Sequence, residues 1–260
     1  MTATERFELV PIDDDAALAW FNVMFDEHVV GDEAAWGRSV PPGLVDIETR
    51  VRGCDAYDVK HDGELVGRIA LSDHESTDDE RDGMELAALW VEPSRRGGLF
   101  GSQLVYLAER EVRRRGRRYL LAEVRAWNRG SMRLARASHC IVVGATVWAD
   151  TSDARRTRLA VAESPVARFK GYDRSRLEVN RGRLGTAIFV TTRVDAQTSI
   201  AAPLAIYDLR RAEKSFDAVL HHMAGQGIRT CLLGLPFVGD DLLRLRRHWP
   251  VCAWSFGKVL

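Results

Sequence analysis

Nowhere does this sequence hold the run of about 18 apolar residues that a membrane-spanning helix needs. Its first eleven residues carry Glu5, Arg6 and Glu8 in place of the apolar core of a secretory leader, so a soluble, cytoplasmic protein with no membrane partner is expected. Excess charge of either sign is missing too. Lys+Arg and Asp+Glu balance at 37 each, which leaves no net positive field to hold nucleic acid nonspecifically. Lysine is scarce: Lys60, Lys170, Lys214 and Lys258 leave arginine as nearly all the basic residues, a codon-bias signature that carries no functional weight. The four cysteines, Cys54, Cys140, Cys231 and Cys252, show no C-x-x-C spacing, which argues against a zinc knuckle or a disulfide framework. His221-His222 has no companion at ligand spacing, so no metal is expected.

What is present is a chain of 260 residues, 46% of them hydrophobic, enough for one large or two small packed domains. Phe7 to Ile12 alternates as a strand, and Asp13, Asp14 and Asp15 offer caps to a helical stretch holding Leu18, Trp20, Phe21, Val23 and Met24. Asp55 to Lys60 and Glu64 to Ser72 read as strands joined by His61-Asp62-Gly63, and Asp-Gly is a strong hairpin signal. The polar, acidic Asp73 to Glu85 suits a solvated loop that could draw a cationic amine; Leu86 to Val91 is then a strand covered on both faces. Helical spacing follows from Gly101, with Leu104, Leu107, Ala108 and Val112 on one side and Glu109, Arg110, Arg113 and Arg114 on the other, stopped by Gly116. Arg113-Arg114-Arg115 with Arg117-Arg118 therefore reads as a solvated face rather than a nucleic-acid patch. Tyr119 to Val124 is a second buried strand, Ser131 to His139 a short helix and Cys140 to Trp148 a closing strand, an α/β (α+β) order suited to one sheet with helices on its faces.

Thr151 to Arg183 is rich in Arg, Asp, Ser and Gly, and a boundary near Glu163 to Gly182 is expected to divide an N-terminal domain, residues 1–163, from a C-terminal lobe, residues 164–260. In that lobe Leu184 to Val194, Ala202 to Leu209, Ile228 to Leu235 and Val251 to Phe256 read as strands, Glu213 to Ala224 and Asp240 to His248 as helices. Aligning Gly116 with Gly227 also pairs Leu121 with Leu232, Arg133 with Arg244, Leu134 with Leu245 and Arg136 with Arg247. A diverged internal repeat and an unrelated appendage both fit this pattern.

The chemistry concentrates in Val91-Glu92-Pro93-Ser94-Arg95-Arg96-Gly97-Gly98-Leu99-Phe100-Gly101-Ser102, a glycine- and arginine-dense loop between a buried strand and a helix. Glycines let backbone N–H groups converge on one point, and the helix N-terminus adds unpaired N–H groups and the positive end of its dipole. Such a loop binds anions, diphosphate in particular. It is neither a Walker A loop nor a G-x-G-x-x-G fingerprint.

With the strand before it, the helix to Gly116, the strand Tyr119 to Val124 and Asn128 beyond, this loop resembles the GNAT superfamily of acetyl-CoA-dependent N-acetyltransferases, over roughly Phe7 to Trp148. The resemblance implies a mostly antiparallel mixed sheet flanked by helices, with acetyl-CoA as co-substrate. It places the coenzyme A diphosphate on Arg95, Arg96, Gly97, Gly98, Leu99, Phe100, Gly101 and Ser102. It gives the thioester oxygen a backbone N–H of Leu89, Trp90 or Val91 freed by a strand bulge, and the pantetheine or an ordered water Asn128. Two departures stand out: the loop register shifts by one residue between Arg95 and Arg96, and Ala135 stands where the family has a tyrosine that protonates the thiolate. Ser131, Tyr106 or solvent would then supply that proton.

Amine acetylation needs a deprotonated nitrogen and a polarised carbonyl. Glu85 matches the family's carboxylate base, and partial burial there would raise its pKa; the alternative is an acid that ends a loop. Glu123, amid Leu120, Leu121, Ala122 and Val124, is a second candidate, with a salt bridge to Arg125 as its structural alternative. Trp36, near Pro41-Pro42, could line an acceptor pocket. The expected activity is direct acetyl transfer to an amine of a small molecule or peptide, by a monomer or homodimer. The alternatives are a non-catalytic coenzyme A-binding module and a protein acetyltransferase. Asp208-Leu209-Arg210-Arg211-Ala212-Glu213 replaces the glycine loop in the C-terminal lobe, which should hold no coenzyme A of its own.

Overall fold

The computed structural model describes residues 6–37, 47–73, 83–150, 162–164, 179–184, 187–193, 198–206, 220–236 and 251–260. Two compact units contain them: one drawn from Met1–Gly31, Ile47–Val142 and Ser255–Leu260, the other from Asp32–Asp46 and Val143–Trp254. The expected loop Asp73 to Glu85, most of the boundary segment and the helix Asp240 to His248 lie wholly or largely outside the described residues.

The first unit opens with β1 (Phe7–Pro11), α1 (Asp14–Trp36), α2 (Ile47–Arg52), β2 (Cys54–His61), β3 (Glu64–Asp73) and β4 (Gly83–Val91). Then come α3 (Phe100–Arg114), β5 (Tyr119–Arg125) and α4 (Arg129–Ala137). Asp13 caps α1, its Oδ1 accepting from the Ala16 N–H at 2.8 Å. The β2–β3 turn has positive φ at both Asp62 and Gly63, the type I′ geometry that matches strand twist. Two differences from the sequence reading appear here: β4 begins at Gly83 rather than Leu86, and α2 was not expected. At six residues α2 is too short to show a helical period.

β1 to β4 pair antiparallel in sequence order, and β5 then pairs parallel with β4. Alternation separates two cores: Ile69 and Leu71 of β3 pack with Leu104 and Leu107 of α3, while Ala70 faces the other way with Ala88, Trp20 and Phe21. Small alanines on that second face let α1 lie close to the sheet.

Glu109 and Glu111 of α3, expected at the polar surface, are buried at 5% and 8% exposure. A buried carboxylate needs a cation. Glu109 accepts from Lys258 Nζ at 2.5 Å, and Glu111 from Arg114 at 2.7 Å and Arg115 at 2.8 Å. Lys258 arrives on β12 (Val251–Val259), whose last residues count with this unit, and the Leu260 N–H donates to the Arg118 carbonyl at 2.8 Å. The hydrogen bond from Arg114 comes first in holding the Glu111 carboxyl down at about 2. The arginine run is thus spent largely on the protein's own acids: Arg115 also pairs with Asp55, and Arg117 with Asp73 at 2.9 Å.

In the second unit β6 (Ile141–Asp150) pairs antiparallel with β11 (Thr230–Pro236), which runs parallel to β10 (Thr198–Ile206). β9 (Ala187–Arg193) follows β10 antiparallel, with β8 (Val179–Leu184) and the short β7 (Ala162–Ser164) beyond. The single strand expected over Leu184 to Val194 is instead split between two antiparallel strands, with Leu184 of β8 paired to Ala187 of β9. Residues 220–225 are helical. That helix and α3 end alike: Gly116 and Gly227 have φ of 71° and 78°, and the following N–H reaches back five residues, from Arg117 to Val112 and from Ile228 to Met223.

Removing Lys258 takes the hydrogen-bonded cation from the buried Glu109 and leaves it Arg113, 3.7 Å away. Lys258→Met should lower stability by about 1–3 kcal/mol, while adding Glu109→Leu recovers most of the loss. Urea unfolding of both variants checks this; an unchanged midpoint for Lys258→Met contradicts it.

Candidate functional site

β4 and β5 pair through Gly83↔Tyr119, Met84↔Leu120 and Glu85↔Leu121. Their paired register ends there, although β4 continues to Val91 and β5 to Arg125. The carboxyl ends of two parallel strands thus part to leave a cleft, and Glu85 stands where it opens. A bulge at Ala87, where Leu71 faces Leu86 and Ala70 faces Ala88, bends β4 at the same point.

Backbone alternation decides which β4 groups face the cleft. The Glu92 N–H donates to Val66 of β3 at 3.0 Å, so the groups of Trp90 also point to β3 and those of Leu89 and Val91 point away. Of the three residues expected to offer an N–H, Leu89 and Val91 are turned to the cleft and Trp90 is not. The Val91 carbonyl accepts from Arg96 Nε at 3.0 Å.

Pro93 to Arg95 form one 3₁₀ turn capped by Glu92, which accepts from the Ser94 N–H at 2.6 Å. Gly97 follows at φ 84°, a left-handed backbone that suits glycine, and a Cβ on Gly98 would meet nothing closer than 3.8 Å. Leu99 occupies the N-cap of α3 and supplies no side-chain acceptor, so the N–H groups of the first turn, Phe100, Gly101 and Ser102 among them, lack a side-chain cap. This is the arrangement an anion completes. Gly101 has a packing reason as well, because a Cβ there would sit 3.3 Å from Leu134 of α4.

The arginines divide their roles. Arg95 turns to the β2–β3 hairpin, 2.8 Å from Glu64 and 5.7 Å from the centre of the Phe100 ring. Phe100 in turn packs edge-on against Phe7 and His61. Its side chain anchors the loop and leaves its backbone to the helix end.

Asn128 is the N-cap of α4, its Oδ1 accepting from the Ser131 N–H at 3.0 Å, so both residues are held at the mouth of β5. Ala135 is buried, and no hydroxyl stands at that position. Tyr106 lies on the outer side of α3, 44% exposed, with Arg110 over its ring. Glu123 is a correction: it is not buried among apolar neighbours but 46% exposed, 3.7 Å from Arg125. Leu120 and Val124 take the inner face of β5, which turns the alternate residues outward.

The α1 face of the cleft holds residues that the sequence did not single out. Arg50 of α2 lies 3.8 Å from Glu85. His28 of α1 meets Trp127 edge-on at 6.2 Å, and the Trp127 indole covers Gly31 so closely that a Cβ there would be 2.2 Å from the ring. Burial first, then Arg125 and Arg50, push the His28 imidazole down to about 4. Trp36, at the end of α1, has a buried indole N–H that meets no partner among the described residues, and Pro41-Pro42 fall outside them. Among the described residues no group of three His, Cys, Asp or Glu could hold a metal ion, and no helix is long and apolar enough to cross a membrane.

A family model described as the acetyltransferase (GNAT) family matches residues 13–139, which include the cleft, the loop and both helix N-termini. Over this segment, just under half of the chain, the sequence matches the GNAT family. The GNAT fold extends further in solved structures. A tandem GNAT protein from the clavulanic acid biosynthesis pathway aligns at TM-score 0.54 and 13% identity, over 97% of this chain and 98% of that one. A GCN5-related N-acetyltransferase from Sphaerobacter thermophilus aligns at 0.53 and 13%, over 98% and 96%. A probable N-acyltransferase from Enterococcus faecalis aligns at 0.50 and 12%, over 97% and 72%. What is shared at such identities is the fold. No curated protein matches the chain.

The His28 imidazole titrates near 4 in the folded protein and near 6.5 in an unfolded chain. Below pH 6.5 the unfolded state takes the proton first, so stability that is full above pH 6.5 is lost as pH falls to 4, by up to about 3 kcal/mol. Urea unfolding between pH 4 and 7 should show a shallower pH dependence for His28→Asn than for wild type; equal slopes would sink the assignment.

Proposed function

We propose that this chain transfers an acetyl group from acetyl-CoA directly to an amine of a small molecule or peptide. One observation carries the reading: a cleft between parting parallel strands opens beside a helix N-terminus whose cap position is a leucine. Gly97, Gly98 and the first-turn N–H groups of α3 are suited to the coenzyme A diphosphate, and the cleft-facing N–H groups of Leu89 and Val91 to amides and to the thioester oxygen. Acetyl-CoA supplies an activated acyl group.

In the transfer a C–N bond forms as the C–S bond breaks, one proton leaves the amine and one reaches sulfur. Glu85, at the fork and beside Arg50, is the proposed acceptor of the amine proton, directly or through water. Glu123 is the weaker candidate because its carboxylate lies in solvent with Arg125. Asn128 orders the turn at the mouth of β5, with Ser131 as its partner. With alanine at position 135, the proton for sulfur comes from Ser131 or solvent. That same buried alanine favours a second reading, a coenzyme A-binding module without turnover.

The catalytic chemistry is assigned to the N-terminal domain and a degenerate repeat to the C-terminal lobe. In support, β10 and β11 run parallel as β4 and β5 do, and the helices before β5 and β11 end on matching glycines. The replaced loop, Asp208 to Glu213, lies outside the described residues. A cytoplasmic monomer or homodimer completes the proposal.

Gly98→Glu puts a charge where the diphosphate would lie, at a site with room for a side chain. Calorimetry should show acetyl-CoA binding by wild type and a loss of at least about tenfold in the variant. No binding by folded wild type would remove both readings.

A further inference from the structure

Two side chains bracket the glycine loop and meet each other across it. Arg95, just before Gly97 and Gly98, lays its guanidinium 5.7 Å from the ring centre of Phe100, the first residue of α3 beyond them. That contact fixes the span of the four residues between, Arg96 to Leu99. Glu64, the first residue of β3, accepts from Arg95 Nη2 at 2.8 Å and holds the guanidinium from the other side. Phe7 of β1 and His61 of β2 meet the Phe100 ring edge-on, at 6.2 Å and 5.8 Å between centres. Backbone contact joins the same parts: the Glu92 N–H donates to the Val66 carbonyl at 3.0 Å, and Gly67 pairs with Val91.

The loop most in need of such support is the one between these anchors. Glycine has the widest backbone freedom of any residue, so a loop with Gly97 and Gly98 adjacent would lose much entropy on closing around an anion. Ordering it beforehand removes that cost from binding. We propose that Arg95 and Glu64 are positioning residues for acetyl-CoA: their side chains hold the glycine loop at its binding span and do not touch the diphosphate. This rests on the binding of acetyl-CoA at the loop proposed above. Arg95, the cation nearest in sequence to the glycines, then serves the anion through Phe100 and its own backbone rather than as a counter-charge.

The sign of one substitution separates this from charge alone. A carboxylate near a diphosphate repels it, so Glu64→Gln would tighten acetyl-CoA binding if Glu64 acted only through its charge. As a positioning residue its loss loosens Arg95, and Glu64→Gln should weaken binding by about threefold, the contribution of one exposed ion pair. Calorimetry with the full chain and acetyl-CoA reads this, and Arg95→Gln should weaken binding at least as much. The double variant should be no weaker than Arg95→Gln, because the two residues act as one unit. Arg95→Lys, which keeps a cation between Glu64 and the Phe100 ring, should restore binding to within about twofold of wild type. Unchanged or tighter binding by Glu64→Gln, or losses that add in the double variant, would overturn the inference. Absence of acetyl-CoA binding by folded wild type would instead strike the reading beneath it.

Discussion

Three residues of parallel pairing hold β4 and β5 together, and their separation after Glu85 and Leu121 governs what the first unit can bind. A parallel pair that stays closed satisfies its own N–H and C=O groups, whereas one that parts leaves backbone groups to be satisfied by something else. Leu89 and Val91 present theirs to that opening. The loop that follows β4 then leads into α3, whose first turn receives no side-chain cap. Amide donors suit an elongated polar chain, and a helix N-terminus suits its anionic end.

Keeping such a cleft open requires that the surrounding structure be firm. α3 is fastened along its length by Leu104, Leu107 and Val112 in the core, and by two buried carboxylates, Glu109 reaching Lys258 of β12 and Glu111 meeting Arg114 and Arg115 at the helix's own end. Burying Glu109 and Glu111 is costly without those cations, and because Lys258 lies on β12 and Arg115 also pairs with Asp55 of β2, the same contacts tie the helix to both strands. On the opposite face alanines on β2, β3 and β4 let α1 lie close, bringing His28 and Gly31 to the Trp127 ring.

Much of this was legible in the sequence, for reasons that differ by element. The β2–β3 hairpin and the loop after β4 announce themselves through Asp-Gly and Gly-Gly, whose backbone needs are local. The parallel pair is implied by two apolar runs joined through an amphipathic helix. Burial of Glu109 and Glu111 was not legible, because periodicity assigns a charge to the surface unless its partner is known, and Lys258 is far away in sequence. The Arg50–Glu85 pair was hidden for the same reason, since α2 and β4 share no spacing, and so was His28 beside Trp127. The departure at Ala135 is visible in sequence, because a methyl group has no proton to donate, and the structure adds only that the residue is buried.

The central claim is that one ligand spans the open edge of β4 and the N-terminus of α3. Hydrogen exchange of backbone amides, with and without coenzyme A, reads both places in one experiment. Protection concentrated at Leu89, Val91 and residues 97–102 is the predicted result. Protection that leaves those amides unchanged, or that falls only outside residues 83–139, would contradict the account.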